Sequence, residues 1–83
     1  MKAFLELYAS LMPLLPPGQS RHRREVEVPE GCTVQQFIER FRIPDEQAHI
    51  VLRNGNFVCG DDRLETRIEE GDTIAVWPPV AGG

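Results

Sequence analysis

Only one segment of this 83-residue sequence has helical periodicity. Val34, Phe37, Ile38 and Phe41 recur at i, i+3, i+4 and i+7, which makes one apolar stripe. Thr33 and Gln36 stand three apart at its start, the spacing of a capping box in which the hydroxyl and the amide satisfy free N–H groups of the first turn. Pro44 disfavours helix at Ile43, so the helix is expected to stop near Arg42. A lone stripe of this kind has no second helix to pack on. It needs the face of a sheet, and a two-layer α+β domain follows.

The remaining segments supply that sheet. Over residues 2–9, Ala3, Leu5, Leu7 and Ala9 fall on one face, and Phe4 and Tyr8 alternate with Lys2 and Glu6 on the other. Residues 10–20 hold three prolines and a glycine, which predicts a loop or wide turn rather than a helix. Leu11, Met12, Leu14 and Leu15 lie there, placed either to pack inward or to face a partner. Residues 21–28 alternate again, with Val26 and Val28 inward. After the helix, residues 50–53 read as a strand leading into Asn54-Gly55, the preferred pair for a type I′ hairpin turn, with Phe57 and Val58 on the return. Residues 59–62 and 70–72 are turns, 63–68 has no clear pattern, and the β-branched stretch 73–77 is a last strand. The order is strand, strand, helix, strand, short strand, strand. That order matches a β-grasp domain over residues 1–77, a mixed sheet of four to five strands wrapping one helix. Residues 78–83 are expected to form a flexible tail.

Composition narrows the function. Nine basic and thirteen acidic residues leave a net charge of −4, so no basic field covers the surface and nucleic-acid binding is disfavoured. Cys32 and Cys59 cannot make a disulfide framework or a four-thiolate metal site, and His22 and His49 show no ligand spacing, so no metal is expected. Without a Cys-x-x-Cys pair the two thiols read as small residues in or near the core, ahead of any redox or sulfur-relay role. The apolar start of the chain is no signal peptide, since Glu6 interrupts it and Pro13 breaks it. No run approaches the length of a membrane span. A soluble, cytoplasmic domain with no membrane partner is expected.

Asn54-Gly55, the run Glu70-Gly71-Asp72-Thr73-Ile74-Ala75-Val76 and above all the ending Pro78-Pro79-Val80-Ala81-Gly82-Gly83 resemble the MoaD/ThiS family of ubiquitin-like sulfur carriers. The likeness extends to Leu7-Tyr8-Ala9-Ser10-Leu11, which is similar to the end of that family's first strand. The terminal hexapeptide is most like the small subunit of molybdopterin synthase. The first loop is longer than expected of the compact thiamine-pathway carriers, and the Arg21-His22-Arg23-Arg24 cluster belongs to no motif of the family. That cluster reads as the solvated start of an edge strand, ahead of a docking patch for an acidic partner.

The tail's own chemistry agrees with the resemblance. Extended, residues 78–83 span about 20 Å. Pro78 and Pro79 stiffen the exit from the sheet, and Gly82 carries no Cβ to collide with the walls of a narrow channel. With Gly83 as the end of the chain, the group delivered is its α-carboxylate. A carboxylate is a poor electrophile and has to be activated first. The resemblance implies that a ubiquitin-activating-type adenylyltransferase uses ATP to adenylate Gly83, and that sulfur then displaces the adenylate to give a thiocarboxylate. It also implies a second partner, the large subunit of molybdopterin synthase or an equivalent sulfur acceptor. On that reading Gly83 reacts, Gly82 gives steric access, and Pro78, Pro79, Val80 and Ala81 guide the tail. The resemblance further implies that the protein binds no cofactor and is not catalytic alone. Trp77, beside the tail, either caps the core or anchors a partner. Competing readings are a thiamine-thiazole carrier and a protein modifier joined to lysines. An RNA-binding β-grasp module is disfavoured by charge, and a β-grasp ferredoxin is excluded by its need for four cysteine ligands.

Overall fold

The computed structural model describes residues 1–80. Strand β1 (Lys2–Leu7) is followed by a 3₁₀ turn (Ala9–Leu14), β2 (Arg23–Glu27), helix α1 (Val34–Arg40), β3 (Ile50–Arg53), β4 (Asn56–Phe57) and β5 (Thr73–Trp77). The sheet order is β2-β1-β5-β3-β4. β1 and β5 run parallel at its centre, and the other neighbours are antiparallel. This is the β-grasp arrangement, one mixed sheet curled about one helix.

Alternation decides which side chains face the helix. Ala3, Leu5 and Leu7 of β1, Val26 of β2, Val51 of β3, and Ile74 and Val76 of β5 form one buried cluster with Val34, Phe37 and Ile38 of α1. Each large apolar side chain fully buried there contributes about 1.5–3 kcal/mol. The hairpin turn has Asn54 at φ 52° and Gly55 at φ 84°, the left-handed pair a type I′ turn requires.

Two expectations need correction. Ala9 does not continue the inward face of β1: it is exposed, with φ 53°, and turns the chain out of the sheet. The proline-bearing stretch after it is not wholly irregular, because Ala9–Leu14 winds as 3₁₀ with Pro13 inside. Proline's fixed φ suits a 3₁₀ turn, and its missing donor costs little in so short a run. Leu11 is buried, Leu15 packs at the margin of the core and Leu14 is exposed, so this segment points its leucines both ways. Among the described residues no helix is long and apolar enough to cross a membrane.

Candidate functional site

The tail leaves the sheet at the end of β5, and the hydrogen bonds there explain why. Tyr8 N–H donates to the Val76 carbonyl (3.3 Å) and His49 N–H to the Trp77 carbonyl (3.0 Å). Pro78 and Pro79 have no N–H to extend either ladder. Pro78 is half-buried, Pro79 is exposed, and Val80 stands 76% exposed. Ala81, Gly82 and Gly83, the rest of the expected tail, lie outside the described residues.

Trp77 is absent from the core cluster and sits on the opposite face of the sheet, which excludes the core-capping role for it. Its ring stacks on Tyr8, with centroids 4.2 Å apart and planes within 2°. Tyr8 in turn stacks on His22 at 4.5 Å and 25°. The His22 ring is held from behind by Nδ1, 3.1 Å from the Leu7 carbonyl. Tyr8 also donates its hydroxyl to Glu6 (2.8 Å), whose other carboxylate oxygen takes the Arg23 guanidinium at 2.5 Å. Arg23 lies over the Phe4 ring, 4.3 Å from its centroid. Burial, the hydrogen bond to Glu6 and the negative charge of Glu6 push the Tyr8 hydroxyl pKa above its usual value, so it remains a donor at neutral pH.

The same face carries an apolar strip. Ile50 is opposite Trp77, and Leu52 is opposite both Ala75 and Phe57. Ile50 is 38% and Phe57 61% exposed, so the strip is open to solvent from β4 to the root of the tail. What this arrangement can do is present the tail beside a hydrophobic face. A concavity lined by Pro29, Cys32, Gln36, Arg40 and Arg67 among others shares no residue with it.

The other candidate residues take structural places. Arg21 is exposed, but the rest of its cluster is engaged. His22 and Arg23 serve the outer face, and Arg24 holds the proline-bearing loop through the carbonyls of Pro16, Gly18 and Ser20. β2 is an edge strand, as expected of that charged segment. Cys32 is buried, and burial raises its thiol pKa, with a smaller opposing effect from Arg40. Cys59 is half-buried, with its sulfur 3.2 Å from Asp62 Oδ2. Among the described residues no three His, Cys, Asp or Glu side chains cluster to hold a metal. Sequence reasoning placed Tyr8 on the outer face but missed its stack with His22, which depends on bringing together the residues that flank two neighbouring strands.

Comparison with known proteins agrees with this geometry. The model of the ThiS family matches residues 6–83. A stretch of 33 residues is 48% identical to Small archaeal modifier protein 3 of Haloferax volcanii, and spans 40% of this chain and 36% of that relative's length. The solution structure of the Haloferax volcanii HVO 2177 protein matches with a TM-score of 0.78 and 25% identity, covering 100% of this chain and 87% of that one. The complex of subunits 1 and 2 of molybdopterin-converting factor from Helicobacter pylori 26695 matches with a TM-score of 0.58 and 15% identity, covering 100% of both chains. That last likeness is one of fold.

Proposed function

This chain belongs to the ThiS family, ubiquitin-like proteins of the sulfur-carrier and small-modifier kind, and from that premise we propose that it carries sulfur as a thiocarboxylate on Gly83 for molybdopterin synthesis. The observation that carries this reading is the tail. A Pro-Pro-initiated segment ending in Gly82-Gly83 leaves the end of β5 beside an open apolar face.

The chemistry has two steps, both performed by partners. The Gly83 carboxylate attacks the α-phosphorus of ATP on an adenylyltransferase, pyrophosphate leaves, and an acyl-adenylate forms. Sulfide then attacks the acyl carbon, AMP leaves, and the thiocarboxylate remains. Gly82 lets the backbone lie close to the partner's catalytic groups. Pro78, Pro79, Val80 and Ala81 carry Gly83 away from the domain, while Ile50, Leu52, Phe57 and Trp77 offer the docking face. The Helicobacter pylori complex of two converting-factor subunits supports a second subunit as the acceptor of the sulfur. The work is cytoplasmic, where ATP and reduced sulfur are at hand.

A second reading, a protein modifier, is favoured by the 33-residue match to Small archaeal modifier protein 3. Lys2 is the sole lysine of the sequence, and its ammonium is 3.8 Å from Glu25, so conjugation to further copies has one acceptor at most. A lysine amine with a reference pKa of ~10.4 is almost wholly protonated at neutral pH, so amide formation needs a site that aligns or desolvates it. A thiamine-thiazole carrier shares the first two steps and differs only in the acceptor. Intact mass spectrometry of protein from its native host separates these readings. A carrier shows one sulfur in place of one carboxylate oxygen at Gly83 on an unlinked chain. Abundant isopeptide conjugates through Gly83, with no thiocarboxylate, overturn the proposal.

A further inference from the structure

The outer-face stack sits where the tail begins, and its members do not belong to the tail. Trp77 is the last residue of β5 and Tyr8 immediately follows β1. The parallel register that sets Leu7 beside Val76 brings Tyr8 and Trp77 side by side on the outer face. Each partner is restrained from another direction. Glu6 takes the Tyr8 hydroxyl, His22 covers the far face of the Tyr8 ring, and the Leu7 carbonyl holds His22. The Trp77 ring therefore has a fixed platform, and its backbone carbonyl is tied to His49. Two prolines follow directly, each with its φ locked by its ring, so an orientation set at Trp77 is passed along the chain rather than dissipated.

We propose that Tyr8, backed by His22, is a positioning residue for the tail: by stacking on Trp77 it sets the direction in which residues 78–80 leave the domain. The inference rests on the carrier reading only for its consequence, which is that a pre-aimed tail enters the adenylyltransferase with less ordering to do. Loss of the platform then weakens capture of the tail and spares the chemical step, because Gly83 once seated is the same group.

The test compares the full chain with Tyr8→Ala, Tyr8→Phe and His22→Ala. Trp77 is the only tryptophan, so near-ultraviolet circular dichroism reports its stacking directly. Backbone ¹⁵N relaxation at Val80 reports the tail's root, and adenylation kinetics with the host's ubiquitin-activating-type enzyme report capture. In Tyr8→Ala the Trp77 signal is expected to collapse and the Val80 order parameter to fall below about 0.6, the flexible range. KM for the carrier should rise roughly 2- to 12-fold at unchanged kcat, the equivalent of losing one aromatic pair. Tyr8→Phe keeps the stacked ring and loses only the bond to Glu6, so it should move these readouts far less than Tyr8→Ala. His22→Ala should shift the same readouts less, and it carries the test if Tyr8→Ala does not fold. A general loss of structure removes competent carrier and raises the apparent KM in proportion to the unfolded fraction, which far-ultraviolet circular dichroism measures; a KM rise fully accounted for by that fraction overturns the proposal. So does a collapsed Trp77 signal with Val80 and KM unmoved. If the wild-type chain is not adenylated at all, the carrier reading falls, while the Val80 comparison still decides whether Tyr8 aims the tail.

Discussion

Asp72 is a buried carboxylate with three hydrogen-bond donors converging on it. Its carboxylate accepts from Glu69 N–H at 2.8 Å, Arg53 Nε at 2.7 Å and Asn54 Nδ2 at 2.9 Å, and Asn54 Oδ1 accepts from Thr73 N–H. Burial raises its pKa, but those donors and the Arg53 charge outweigh it and hold the carboxyl below the ordinary aspartate range. A depressed folded-state pKa stabilises the protein above the unfolded value of ~3.9 and ceases to do so as pH falls through the folded one. The urea midpoint is therefore expected to drop as pH is lowered from about 4. Asp72→Asn should cost about 1.5–3 kcal/mol at neutral pH and flatten that acid limb. A pH series of urea melts on both proteins checks this. The sequence placed Asp72 correctly in a turn before a strand, but nothing local to it shows that it ties the turn after β3 to the start of β5. Ala9 illustrates the same limit from the other side. The i, i+2 pattern put it on the inward face, and only its left-handed φ shows that the strand had already ended.

Helix α1 has seven residues, too few to persist alone, so its ends and its packing have to hold it. The capping box read from Thr33 and Gln36 is formed in full: the Thr33 hydroxyl accepts from Gln36 N–H at 3.1 Å, and Gln36 Oε1 accepts from Thr33 N–H at 2.9 Å. Thr33→Ala should cost about 1 kcal/mol, seen as a lower thermal midpoint. The far end was harder to read. Pro44 pointed to a stop near Arg42, but the stop itself is a Schellman motif, with Ile43 N–H donating to the Ile38 carbonyl and Arg42 N–H to that of Glu39. Its left-handed residue is Arg42 at φ 59°, where a glycine would normally have announced the motif. Arg42 is exposed, and its backbone strain is expected to make Arg42→Gly stabilising by up to about 1 kcal/mol, measured by chemical denaturation. The alternating faces of β1 and β2 were legible, because a sheet with one covered face repeats every second residue; no inward face was read for β3 or β5, and the order of strands within the sheet came only from the fold. The 3₁₀ turn was not legible either, since proline excludes an α-helix without stating what replaces it.

For the whole molecule, Gly82→Ala is expected to leave the thermal midpoint unchanged, because a glycine has no side chain to withdraw from the core, and to lower adenylate formation at least tenfold. Parallel melting and adenylation assays check both halves. The candidate tail is a pattern written along the chain, with Pro78-Pro79 and Gly82-Gly83 inside six successive positions, and it needs no folding to be read. Its surroundings were not legible in that way, because Tyr8, His22, Leu52 and Phe57 meet Trp77 and Ala75 only through sheet pairing between distant segments. That pairing has a consequence in time. β5 lies between β1 and β3, so the strand encoded near the end of this sequence is the one that joins the two halves of the sheet. The two halves of the sheet therefore meet through a pairing across some seventy residues, from Phe4 to Thr73, and such non-local closure is slow. Until it occurs there is no shared outer face and no fixed root for the tail. On the proposed carrier function, an activating enzyme that reads the domain as well as the glycines would distinguish finished molecules from nascent or misfolded ones, and the order of assembly would itself act as a proofreading step before ATP is spent.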